Sequence, residues 1–194
     1  MKKILSFSIC FLVLIVQVPA QIVSFYKEIV NLELDSAHLT VNAELYFRNN
    51  YSTPASPVIF FPYSCKGNVV KVDSIRVEDM SNNHLLRLAR KTLAGVMFQL
   101  DLGNMEQKRV HVTYIQDHDG KEAGYVLTKI KYWNEPLNQG NYALVFTDPR
   151  IIIDSVSYKP DNIIQEEGKN RYTWKKNNFS PDRELYIYFH RNKK

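Results

Sequence analysis

Residues 38–49 read His-Leu-Thr-Val-Asn-Ala-Glu-Leu-Tyr-Phe-Arg-Asn, and their alternation decides the fold. Leu39, Val41, Ala43, Leu45 and Phe47 fall on one parity, and Thr40, Asn42, Glu44, Tyr46 and Arg48 on the other. A period of two sends successive side chains to opposite faces of an extended chain, so this run is a strand with one face in a core and one towards water. Just upstream, Val30, Leu32 and Leu34 alternate with Asn31 and Glu33. Asp35 and Ser36, between the two runs, are turn formers, and together the segments predict a hairpin.

The same period recurs outward along the chain. Val96, Phe98, Leu100 and Leu102 share one parity, as do Val110, Val112 and Tyr114, with a bend expected at Gly103 and Asn104. Leu185, Ile187 and Phe189 alternate with Tyr186, Tyr188 and His190, an aromatic second face that predicts a last strand covered in part on both sides. Val70 and Val72 change parity to Ile75 and Val77, which places a bulge or tight bend at Asp73 and Ser74. Ile151, Ile152 and Ile153 do not alternate and predict a short, fully buried strand. No segment after residue 20 shows a helical stripe over ~10 to 12 residues; His84 to Thr92 comes nearest and suits a strand equally well. These runs predict an all-β chain, an antiparallel β-sandwich of about ten strands forming a single domain over residues 21–194.

The first twenty residues read as an export signal. Lys2 and Lys3 precede an apolar stretch from Ile4 to Val18, and small residues lie around Ala20, so cleavage there leaves Gln21 as the new N-terminus. The stretch, which contains Ser6, Ser8 and Gln17, is shorter than the ~20 apolar residues that a spanning helix requires. The expected location is secreted or periplasmic, with no transmembrane helix after cleavage. The formal charge of +5 falls to +3 once Lys2 and Lys3 are gone, leaving 23 bases against 20 acids. So mild a balance lacks the concentrated basic face that phosphate recognition requires, and nucleic acid is not expected as a partner. Removal of Cys10 with the signal leaves Cys65 alone, which excludes an internal disulfide; Cys65 is read as a buried small hydrophobe.

Motifs for catalysis are missing. The five histidines, at 38, 84, 111, 118 and 190, never adopt the one-turn spacing with an adjacent Glu that zinc hydrolases use, and no G-x-S-x-G elbow occurs. Asp117, His118, Asp119 and Gly120 begin like a calcium loop, but Lys121 fills the fifth position and Leu127 and Thr128 bracket the twelfth, so a turn is expected. No catalytic residue, metal or cofactor is assigned. Aromatic residues are concentrated in the second half. Tyr172 and Trp174 share a strand face and read as core, whereas Trp133 lies in a polar loop segment and is the candidate exposed anchor, with Tyr132, Asn134 and Glu135 beside it.

Two stretches carry a resemblance: Tyr125-Val126-Leu127-Thr128-Lys129-Ile130-Lys131-Tyr132-Trp133-Asn134-Glu135-Pro136-Leu137, and Trp174 followed by Asn178-Phe179-Ser180-Pro181-Asp182. They resemble an uncharacterised family of exported bacterial β-sandwich proteins, distantly similar to the N-terminal β domain of gluzincin aminopeptidases without their catalytic domain. The resemblance implies an exported bacterial β-sandwich and carries over no catalytic residue. The expected function is a non-catalytic exported module that binds a protein, glycan or envelope component. The alternatives are an extracytoplasmic hydrolase with an unrecognised site and a purely structural envelope accessory. Oligomeric state is not legible in the sequence.

Overall fold

A computed structural model describes residues 22–63, 71–133, 135–146, 148–166 and 168–192. The expected signal at 1–20, Cys65 and Asn134 lie outside the described residues. The alternating runs become strands, in chain order β1 (Val23–Leu34), β2 (His38–Asn49), β3 (Val58–Pro62), β4 (Val72–Asp79), β5 (His84–Leu85), β6 (Leu88–Lys91), β7 (Gly95–Gln99), β8 (Gln107–Asp117), β9 (Glu122–Tyr125), β10 (Leu137–Phe146), β11 (Ile151–Val156), β12 (Asn162–Glu166), β13 (Lys169–Phe179) and β14 (Leu185–Arg191). One 3-10 helix, Thr128–Trp133, separates β9 from β10.

Eight strands form one sheet in the order β12-β13-β10-β1-β2-β8-β4-β5, and two three-stranded sheets run β11-β14-β9 and β3-β7-β6. The all-β expectation holds, but not its finer form. Fourteen strands appear rather than about ten, because β5, β6 and β9 are too short for a period to show in the sequence. The large sheet is mixed rather than antiparallel: β1 runs parallel to β10, with Leu32 opposite Leu144. Alternation reports which face is buried and is silent about which neighbour a strand pairs with.

The hairpin forms as read, with Leu34 opposite Leu39, and the Asp35 carboxylate accepts the backbone N–H groups of Ala37 and His38 at 2.7 Å each. β2 buries Leu39, Val41, Ala43, Leu45 and Phe47 and leaves the other parity half-exposed. The shift between Val72 and Ile75 lies where the bulge is expected. All three sheets contribute to one core, in which Phe61 of β3 meets Tyr114 of β8 at 6.0 Å between ring centroids. Trp174 is buried, with its indole N–H donated to the Tyr158 carbonyl at 2.9 Å, and Tyr172 packs on Phe146. On β14, Tyr186 is buried and Tyr188 half-buried, so both faces are covered as expected. The isoleucine triplet is corrected: β11 is an edge strand, burying Ile151 and exposing Ile152.

A bulge in β1 determines what the core contains. Phe25 pairs with Phe47 and Lys27 with Tyr46, so Tyr26 is an extra residue in the ladder. One inserted residue reverses the parity that follows. Val23 and Phe25 point inward before the bulge, and Glu28, Val30, Leu32 and Leu34 after it. The bulge therefore delivers a carboxylate into the core.

Candidate functional site

That carboxylate is the centre of a closed polar cluster. Glu28 and Lys129 are both buried, and the Lys129 ammonium lies 2.7 Å from Glu28 Oε1. Lys129 also donates to the Tyr125 hydroxyl at 3.0 Å and to the Val126 carbonyl at 2.6 Å, which engages its three N–H donors. Tyr125 in turn donates to Glu28 Oε1, and Tyr142 to Oε2 at 3.1 Å. The ammonium sits over the Tyr125 ring, 4.1 Å from its centroid, and 5.5 Å from that of Phe61. Burial, and then the charge of Glu28, push both phenols well above their ordinary value of 10.0, so each remains a protonated donor. Gly140 lies opposite Glu28 on the neighbouring strand. A Cβ on Gly140 would come within 2.7 Å of the Tyr142 hydroxyl, so the glycine leaves the space that this phenol occupies.

The cluster anchors the 3-10 helix from beneath, and a second carboxylate fastens its start. Glu184 Oε2 accepts the backbone N–H groups of Leu127 at 2.6 Å and Thr128 at 2.9 Å, and its other oxygen accepts the Thr128 hydroxyl. Charge-assisted bonds of this kind are the stronger ones, and they hold a turn too short to be stable alone. Lys129 and Ile130 point inward, and the helix ends on Tyr132 and Trp133.

Those two aromatics border a groove. Residues 22–23, 54–60 and 132–133 enclose about 630 Å³ without a charged side chain. Tyr132 is 70% exposed, Val58 60%, Ile22 51% and Phe60 36%. Trp133 is half-buried, its ring 5.8 Å from Phe25 and 5.4 Å from Phe47, so the inner edge of the groove rests on core aromatics. The segment before β3 is held by Asn49, whose side-chain amide donates to the carbonyls of Thr53 and Gly103 at 2.7 and 2.8 Å. Gly95, on the strand beside β3, seats the Phe60 ring: a Cβ there would lie 2.6 Å from Phe60 Cε2 and 2.5 Å from the Phe61 carbonyl oxygen.

Of the residues singled out in the sequence, Tyr132 and Trp133 line this groove, and Glu135 is exposed outside its lining. The Asp117–Gly120 segment is a turn. Asp119 Oδ1 accepts the N–H groups of Lys121 and Glu122, which hold its carboxyl below the ordinary value, and Gly120 has φ of 81°. His118 Nδ1 accepts the Gly120 N–H at 3.0 Å, so Nε2 carries the proton and faces the Asp35 carbonyl at 3.1 Å. His38, Asp73 and Asp117 converge to within 4.8 Å, and Lys71 already compensates their charge, 2.9 Å from Asp73 and 3.7 Å from Asp117.

Sequence reading missed Glu28, Lys129, Glu184, Val58 and Phe60. For Glu28 a signal exists: the parity of Val30, Leu32 and Leu34, carried back one step, falls on a carboxylate. Nothing local marks Glu184, which acts on residues 56 and 57 positions away.

No protein family and no curated protein sequence matches the chain. Solved structures do. A Legionella pneumophila protein bearing a suggested nutrient-binding role superposes with a TM-score of 0.71 at 12% identity, over 88% of this chain and 68% of that one. An M1 zinc metallopeptidase from Deinococcus radiodurans gives 0.51 at 11% identity, over 86% of this chain and 42% of the enzyme. The distant likeness to zinc peptidases expected from the 125–137 and 174–182 segments is thus present as a likeness of fold.

Proposed function

We propose that this chain is a non-catalytic binding module, exported after loss of residues 1–20, that takes an apolar portion of a protein, glycan or envelope component into the groove at Trp133. The observation that carries this reading is concentration. Four of the ten exposed large hydrophobic residues among those described line this one groove. Scattered apolar side chains are ordinary on a surface, whereas a contiguous set in a concavity marks a binding site. The volume falls within the ~300–1,000 Å³ typical of ligand pockets. In this reading the eight-stranded sheet and the two small sheets are the layers of a sandwich scaffold, and the suggested role of the Legionella protein is of the same class. Export rests on the Lys2–Val18 pattern alone.

The test is a titration of purified protein with the apolar fluorophore anilinonaphthalene sulfonate, repeated with Tyr132→Ser and Trp133→Ala. A single saturable site, weakened about tenfold or more in both variants, supports the groove. Binding unchanged in both variants removes it.

A further inference from the structure

The groove has a second property besides apolarity, which is a strand edge left unpaired among the described residues. β3 is terminal in its sheet, and its one neighbour is β7. Ladder bonds to that neighbour run through alternate residues. Ala55 exchanges bonds with Leu102, Pro57 accepts from the N–H of Leu100, and the N–H of Tyr63 is donated to Ala94. Val58 stands opposite Gln99 and Phe60 opposite Met97, between those bonded pairs. In an antiparallel ladder the residues between bonded pairs turn their N–H and C=O groups the other way. Ser56, Val58 and Phe60 therefore present three donors and three acceptors on the side where, among the described residues, no strand pairs. These same residues line the groove.

Two prolines bound the edge. Pro54 and Pro62 have the same parity as Ser56, Val58 and Phe60 and lie two residues beyond each end. Each lacks the N–H that an added strand would require, so pairing cannot run past them. Pro57, of the other parity, leaves the open side intact. Natural edges are blunted by charge or by proline. Here the prolines that bear on the open side stand only at its limits, and the lining between them carries no charge.

We infer that this edge accepts an extended peptide segment of about five residues as an added strand, with apolar side chains at alternate positions filling the space between Phe60 and Trp133. Main-chain bonds would supply affinity and alternate side-chain seats would supply selectivity, the logic of β-strand addition. A second copy of the chain fits less well. A stable dimer buries about 1,200–2,000 Å² in total, more than an edge limited to five residues provides. The inference rests on the groove being the binding site.

The experiment uses an acetylated, amidated Val-Thr-Val-Thr-Val peptide, two versions N-methylated at alternate amides in opposite frames, and the Val58→Pro variant. Replacing Val58 by proline deletes a donor on the open side and spares the ladder to β7. Calorimetric titration should show the parent peptide binding and one methylation frame weakening it about tenfold or more while the other does little. Val58→Pro should weaken the peptide similarly. Equal affinity of both methylated peptides overturns strand addition, and so does fluorophore binding that depends on Trp133 with no peptide binding; either result leaves the groove standing. Failure of fluorophore and peptide alike overturns both readings. Should Val58→Pro not fold, the two methylated peptides still decide the matter on the unaltered protein.

Discussion

The two ends of the 3-10 helix solve opposite problems. At Lys129 a charge lies in the core, bonded into a cluster of one carboxylate, two phenols and a carbonyl. At Tyr132 and Trp133, three and four residues on, apolar surface faces a groove that no other described residue covers, Tyr132 exposed and Trp133 half-buried. Each end relies on a glycine for room, Gly140 beside Tyr142 and Gly95 beneath Phe60. The difference teaches where each kind of cost resides. The inner cluster is stable only when complete, because a buried charge stripped of its partner costs more than the pair contributes. The outer groove can be altered piecemeal, because water already touches it.

That contrast can be broken by experiment, most severely at the ammonium. Lys129→Met should destabilise the chain by about 3–5 kcal/mol, a fall in Tm of roughly 6–20 °C, since the buried Glu28 loses its partner. The double variant Glu28→Leu with Lys129→Met removes the uncompensated charge but takes the acceptor from the Tyr125 and Tyr142 hydroxyls, so it should recover part of this loss in denaturant titrations. If the double variant is no more stable than the single one, the pair is not the unit we describe.

Alkali probes the same cluster more gently. The two buried phenols ionise far above 10.0 in the folded chain and near it in the unfolded one. Above pH 10 the unfolded state therefore binds fewer protons, and stability, fully present below that pH, falls as pH rises, by up to about 1.4 kcal/mol per pH unit for each phenol. Absorbance at 295 nm should show that Tyr125 and Tyr142 are among the tyrosines that ionise only as the chain unfolds. A smooth titration of all the tyrosines in a folded protein would contradict the closed cluster.

Phe60→Ser sharpens the other side of the comparison. Its ring is covered in part by the Gly95 seat, so stability should fall by about 1–2 kcal/mol while fluorophore binding weakens. The smallest effect belongs to Asp182, which Arg183 and then the Tyr158 hydroxyl hold at about 2. It favours the folded state above its ordinary 3.8, and that contribution disappears as pH falls towards 2. The carboxyl shift in an NMR titration reads it directly, and a midpoint near 3.8 would show that the contact does not persist in solution.

Much of this was legible in residues 38–49 and 30–34, because burial of one face imposes a period that chance rarely produces. Trp133 was legible as an aromatic in a polar segment. The parallel pairing of β1 with β10 was not, because alternation carries no address for a strand's neighbour. The groove was equally hidden. Pro54–Phe60 holds no motif, and its importance comes from an open edge that exists only once β7 has taken the other side. The buried carboxylate was readable in principle by carrying the parity of Val30, Leu32 and Leu34 back one step, and the bulge at Tyr26 explains why Val23 and Phe25 fall on the other parity.

The parallel pairing has a consequence for time. Glu28 and Tyr142 are 114 residues apart, yet they meet at the middle of the large sheet. Closing so long a loop costs entropy before any contact offsets it, so the centre of the sheet should consolidate late, after the β1–β2 hairpin has formed beside it. A ribosome making this chain must pass β10 before β1 acquires its second neighbour, and until then the Glu28 carboxylate lacks the Tyr142 hydroxyl.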